Sequence, residues 1–215
     1  PVRTVVMGAV DKKKEQQAHR VKEFMNYYLM NEMQEYTPEF DQMLYYLPLA
    51  GSAFKKVYYD SALNRPVSTF VPATDLIVPY ETSNLETFPM ITHRIDMNVN
   101  DLRKQQIAGF YLDVPIMPSQ RTPDDVRAEM NKIQGEEPTQ GDYDTTLLEF
   151  HVELDLDGFE HQDAEGEPTG IKLPYIVTIC EDTNVVLSIR RNYLEDDEDF
   201  KKIEYFVHYK FLPGF

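Results

Sequence analysis

The stretch LPLAGSAFKKVYYDSALNRPVSTFVPATDLIVPY, Leu47 to Tyr80, decides the fold. It holds three short runs rich in β-branched and aromatic residues: Ala53 to Tyr59, Val67 to Val71 and Leu76 to Val78. Asp60, Asn64, Arg65 and Pro66 reverse the chain between the first two. Val, Phe and Tyr bounded by Pro, Asn and Asp is the pattern of strands joined by tight turns. The stretch predicts an antiparallel meander.

Upstream, Asp11 to Glu35 predicts a helix, with Val21, Phe24, Met25, Tyr28 and Leu29 at helical spacing among Lys, Glu and Gln. Lys12, Lys13 and Lys14 crowd its start, where positive charge opposes the helix dipole. They read as a solvated face, with a phosphate contact as the minority reading. Thr37-Pro38-Glu39 opens a second helix, Phe40, Met43, Leu44 and Leu47 form its apolar stripe, and Pro48 and Gly51 end it. Two helices with a short link make a hairpin that can cover one face of a sheet.

Downstream, Met90 to Met97 predicts a strand, and Asn100-Asp101 caps a short helix ending near Gly109. Pro115, Pro118 and Pro123 break up a surface excursion, within which Thr122-Pro123-Asp124-Asp125 starts one more helix. Leu148 to Asp157 is the cleanest local signal. Leu148, Phe150, Val152, Leu154 and Leu156 alternate with Glu149, His151, Glu153, Asp155 and Asp157. A period of two calls for a strand with one buried and one wet face. Tyr175 to Cys180 and Val185 to Arg190 form a hairpin about Asp182-Thr183-Asn184, and Ile203 to Leu212 is a last strand.

These elements predict an α+β fold: an N-terminal helical hairpin packed on an antiparallel β meander, followed by a second, mostly antiparallel β module. The expected divisions are 1–114 for hairpin and meander, 115–145 for the Pro/Asp-rich excursion with its short helix, and 146–215 for the acidic module.

The 215 residues suffice for one large domain or two small ones, with a real core. No apolar run approaches the roughly 20 residues that span a bilayer. The start, PVRTVVMGAV, has neither an initiator Met nor the pattern of a secretion signal, and reads as the beginning of an excised fragment. A single cysteine, Cys180, excludes an intrachain disulfide framework. Net charge is −16 and unevenly spread: from Asp142 onward there are 18 acidic and 6 basic residues, against 19 and 15 before. An acidic back half repels nucleic acid. It reads as plain solubility, or as a non-stick wall beside DNA.

No residue is assigned a catalytic, cofactor-binding or metal-ligating role. Asp155-Leu156-Asp157-Gly158 echoes a calcium loop, but Phe159 stands where a ligand is wanted, and a strand end turning at Gly is the expected reading. His151, His161 and Asp163 approach one another in sequence without zinc-site spacing. Cys180 sits in an apolar strand as a buried thiol, and Ser52 lacks the GxSxG elbow. His93 and His208 lie within strands, and Asp124 and Asp125 suit a helix start. Lys55-Lys56 and Arg190-Arg191, being adjacent on strands, put one charge on each face rather than forming a basic stripe.

The run LPLAGSAFKKVYYD followed by FVPATDLIVPY resembles the wing region of tailed-phage portal proteins of the short-tailed type. NDLRKQQIAGFYLDV (Asn100 to Val114), LEFHVELDLDGFEH (Leu148 to His161) and YFVHYKFLPGF (Tyr205 to Phe215) fit the same family in order. The resemblance implies a non-enzymatic subunit of a head-to-tail connector, a twelve-fold ring at one capsid vertex through which DNA passes during packaging and ejection. It implies that this chain is the outer wing, meeting neighbouring subunits and the capsid shell or scaffolding proteins. Packaging motor and tail adaptors would be met by regions beyond these residues. DNA would cross the ring without sequence-specific binding, and no cofactor or membrane is involved. The implied location is the virion's portal vertex, after assembly in the host cytoplasm. Two alternatives stand beside it: a metal-dependent hydrolase built on Leu148 to Asp163, and an acidic binding module for a basic partner.

Overall fold

The computed structural model describes residues 2–9, 11–60, 63–80, 85, 90–116, 145–162, 165–194, 196–197 and 199–211. Two compact units result: residues 1–74 together with 204–215, and residues 75–203. The fold is α+β, a helix pair followed by antiparallel sheets. Among the described residues no helix is long and apolar enough to cross a membrane.

In the first unit, α1 (Lys12–Tyr27) runs into one wider π-helical turn, Tyr28–Glu32. The chain breaks at buried Met33 before α2 (Tyr36–Ala50). The single helix expected through Glu35 therefore ends early. Pro48 lies inside α2 instead of ending it. So close to the C-terminus, its missing N–H and its ring disturb only the last turn. The end comes at Gly51, at φ +73°, whose N–H reaches back to the Leu47 carbonyl at 2.8 Å. Only a residue without a Cβ takes that left-handed position at no steric cost.

Helix α2 packs on the hairpin of β1 (Ser52–Asp60) and β2 (Arg65–Pro72), paired antiparallel from Ala53↔Pro72 to Asp60↔Arg65. Three residue types on one helix face make the seam. Met43 is fully buried, a stabilisation of about 2–3 kcal/mol. The Glu39 carboxylate accepts the Phe70 N–H at 2.6 Å, and Glu35 holds the Arg65 guanidinium at 2.7 Å. Tyr46 meets Phe70 edge-on, centroids 5.5 Å apart.

The third strand of this sheet is not the one expected. Leu76–Ile77 (β3) leaves to pair with β4 (Met90–Met97), and the free edge of β1 is taken by β8 (Phe206–Lys210), registered from Ser52↔Lys210 to Lys56↔Phe206. A meander drawn from Leu47 to Tyr80 alone is therefore corrected to a hairpin plus a strand from the other end of the chain.

The second unit is a five-stranded antiparallel sheet in the order β3, β4 (Met90–Met97), β5 (Thr145–Leu154), β6 (Leu173–Cys180), β7 (Val186–Arg191). Helix α3 (Val99–Ile107) follows β4, capped by Asn98, whose Oδ1 accepts the Asn100 N–H at 2.8 Å. The cap thus falls two residues before the expected Asn100-Asp101. The β6–β7 turn closes at Asn184, at φ +53°, as the Asp182-Thr183-Asn184 signature predicts. Both sheet faces are covered. One carries Leu102 of α3 with Tyr111, Leu147, Cys180 and Leu187; the other carries Leu173, Tyr175 and Val177 with Phe150, Val152, Tyr193 and Phe200.

Strand β4 and α3 join the second sheet because β4 pairs with β5 along eight positions, and β8 returns to the first. The helix starting at Thr122, with Asp124 and Asp125, lies outside the described residues.

The Glu35–Arg65 pair couples the first unit to pH. The hydrogen bond from Arg65 holds the Glu35 carboxyl below its ordinary range. A carboxylate depressed in the folded state stabilises above its unfolded pKa, and that contribution is lost as pH falls through the folded value. Glu35→Gln is expected to cost about 1 kcal/mol near neutral pH and nothing once acid protonates the carboxyl, read by denaturant unfolding of both chains at the two pH values.

Candidate functional site

Helix α1 is sixteen residues long and buries none of them. One side is held by the N-terminal segment. The Asn26 amide exchanges hydrogen bonds with the Val2 backbone, and the Thr4 hydroxyl donates to the Ala18 carbonyl at 2.9 Å. Helical geometry puts Ala18, Lys22 and Asn26 on that side, and Lys13, Arg20, Phe24 and Tyr27 together on another. Phe24 and Tyr27 are 60% and 56% exposed. On α2, Tyr45 is 79% exposed, with Leu44 and Leu49 also open. An isolated helix of this length is marginal in water. A basic and aromatic face that stays exposed among the described residues is a surface built to be covered.

The second unit places a polar cluster inside. Strand β5 was expected to keep Glu149 and His151 wet. Instead they are 5% and 3% exposed, while Leu148, Phe150, Val152 and Leu154 are only half-buried. The reason is position: β5 is the middle strand, and α3 with the chain after it lies over the face its polar side chains occupy. The side chains compensate one another. His151 Nε2 lies 2.8 Å from one Glu149 oxygen, and the Arg190 guanidinium 3.6 Å from the other. The Phe110 ring caps Arg190 at 4.4 Å. His93, Glu149, Thr178 and Ser188 face one another across four strands.

The other candidates are dispersed. Asp155 and Asp157 follow the end of β5 and turn at Gly158, with the Phe159 N–H on the Leu156 carbonyl at 2.9 Å. They line an open groove of about 590 Å³ with Phe159, Tyr175, Ile189 and Arg191. His161 bonds Thr169 at 2.7 Å and sits edge-on to Phe200, so it is not brought to His151; Asp163 lies outside the described residues. Among the described residues no three His, Cys, Asp or Glu side chains are placed to hold a metal ion. Cys180 is fully buried beside Leu147 and Leu187.

Lys55 and Lys56 point to opposite faces of β1, as adjacent strand residues must, and both are buried. Lys55 Nζ lies 4.5 Å from the Tyr36 ring centroid and 5.4 Å from Phe40, and Lys56 Nζ lies 5.4 Å from Tyr58. Aromatic faces take these ammonium groups on both sides of the strand. Burial pushes the Lys55 pKa down, opposed by Glu39 and Glu35. One pairing escaped sequence reasoning. Ser52 Oγ meets His208 Nε2 across a separation of 156 residues, joined by the β1–β8 register. Burial, then Lys210, lowers the His208 pKa, and its ring stacks on Phe54. Among the described residues no carboxylate bonds His208, so the third member of a hydrolytic triad is lacking there.

No family model matches the chain, and no curated protein matches it.

The buried cluster is testable. Glu149→Ala removes the carboxylate shared by the His151 ring and the Arg190 guanidinium and is expected to cost about 3 kcal/mol. Exposed Glu153→Ala on the same strand should stay within about 0.5 kcal/mol, both by equilibrium unfolding.

Proposed function

We propose that this chain is a structural part of a phage portal, the head-to-tail connector ring through which genomic DNA is packaged and ejected, and that it forms the outer wing. One observation supports the reading most. The apolar and basic face of α1, with Tyr45 and Leu49 of α2, stays open although each unit already has a core of its own. Surfaces of that kind belong to chains that assemble. The stretches that resemble the portal family fall on the end of α2 with β1, on β2 into β3, on α3, on β5 and on β8.

In this reading the chain is not an enzyme. It meets copies of itself in a ring, twelve in the complete protein, and the capsid shell or scaffolding proteins outside it. The packaging motor and tail adaptors engage other parts of the longer protein. The acidic back half, with 18 carboxylates to 6 cations, gives DNA nothing to grip. The location that follows is the portal vertex of the virion.

Light scattering on these 215 residues is expected to show a monomer or weak association, because the ring's stem contacts lie elsewhere. Electron microscopy of the complete protein is expected to show a closed ring. A stable ring from the 215 residues alone would contradict the wing placement, and a complete protein that stays monomeric would end the portal reading.

A further inference from the structure

Two surfaces of this chain are opposite in sign and alike in apolar character, and they lie on different units. The first is the open face of α1. Between Lys12 and Tyr27 stand five cations, Lys12, Lys13, Lys14, Arg20 and Lys22, against two carboxylates, Glu15 and Glu23. Lys13 and Arg20 share their side of the helix with exposed Phe24 and Tyr27. The helix start is electrostatically uncomfortable in isolation. Three lysines sit where the dipole is already positive, and Asp11 makes no side-chain cap.

The second is the groove of the second unit. Exposed Phe159 and Ile189 and the Tyr175 ring give it apolar walls, and Asp155 and Asp157 give it an acidic rim. Arg191 is the single cation among its described lining residues. In sequence, the run from Glu153 to Glu167 that contains Asp155 and Asp157 carries seven carboxylates and no Lys or Arg. The rim is the complement of the helix.

We propose that α1 of one copy seats in this groove of the next copy, Phe24 and Tyr27 against Phe159 and Ile189, with Lys13 and Arg20 facing Asp155 and Asp157. The occupant is a second copy of this chain, and the inference rests on the reading above that the chain meets its own kind. The contact joins two different patches, so it repeats head to tail and leaves each copy with one helix and one groove to offer. A two-fold contact of α1 on α1 would stop at a dimer and bring lysine against lysine. The contact also relieves the helix start: the neighbour's carboxylates compensate both the lysines and the positive end of the dipole.

Disulfide trapping between two separately made variants tests this. Lys13→Cys and Asp157→Cys chains are mixed at high concentration and oxidised. Native Cys180 is fully buried and does not compete. The mixture is expected to give a mixed dimer, well above the yield from Lys13→Cys mixed with Asp41→Cys, an exposed control on α2. Adding Asp155→Lys to the groove chain should cut the yield roughly fivefold, and adding Arg20→Glu to the helix chain should restore it. A yield equal to the control overturns the contact. So does retention of duplex DNA by the unaltered chain, lost on Lys13→Glu with Arg20→Glu, when no mixed dimer forms; α1 is then a phosphate-binding face. If the complete protein forms its ring without this cross-link, the contact falls and the ring reading stands. If the cross-link forms and no ring does, the contact stands and the ring reading falls.

Discussion

Strand β1 has two edges to pair, and the architecture follows from how they are paired. Its backbone from Ser52 to Asp60 is half-buried or better for much of its length, so its N–H and C=O groups cannot rely on water. Strand β2 supplies one edge from next door. The other edge is filled by β8, which arrives after everything from Asp75 to Ile203 has been interposed. The second unit is in that sense an insertion in the first. Closing so long a loop costs little more than closing a shorter one, because the entropy grows only with the logarithm of length. What the insertion needs is a core of its own, and a five-stranded sheet with both faces covered provides it.

Coverage of both faces also explains where polar residues ended up. In a sheet with one wet face, alternation of apolar and charged residues reports burial directly. In the middle of a two-faced sheet it reports only which side chain needs which kind of neighbour. Glu149 went inside with His151 and Arg190, and neither charge stands without its opposite. The first sheet solves the same problem differently. Lys55 and Lys56 went inside against Tyr36, Phe40 and Tyr58, so aromatic faces offset part of the burial cost of each ammonium, and Glu39 and Glu35 add to this at Lys55. Such arrangements favour one packing over its alternatives more than they add stability.

The helical layer behaves in the opposite way. Helix α2 sinks Met43 and ties Glu35 and Glu39 to the hairpin, whereas α1 keeps Phe24 and Tyr27 in the open and is tied to Val2 and Thr4 of the N-terminal segment. A chain that builds complete sheet cores and then leaves one basic, aromatic helix uncovered has its remaining free energy of burial available for a partner.

Much of this was legible in the residues alone. The helix pair, the β1–β2 hairpin with its Asn64 turn, the β6–β7 hairpin with its Asn184 turn and the strand at Leu148 all follow from periodicity and turn chemistry, which are local. Cys180 in an apolar strand was legible as a buried thiol for the same reason. Three things were not: that β3 belongs to the second sheet, that β8 closes the first, and that Ser52 meets His208. Each depends on which strand edges meet, and edges carry no residue code of their own. The inward turn of Glu149, His151 and the two lysines was hidden too, since a side chain's burial is set by what the fold stacks above it. The sequence by itself determined the elements and their order; the tertiary structure decided their partners, because pairing and coverage are settled between segments far apart in the chain.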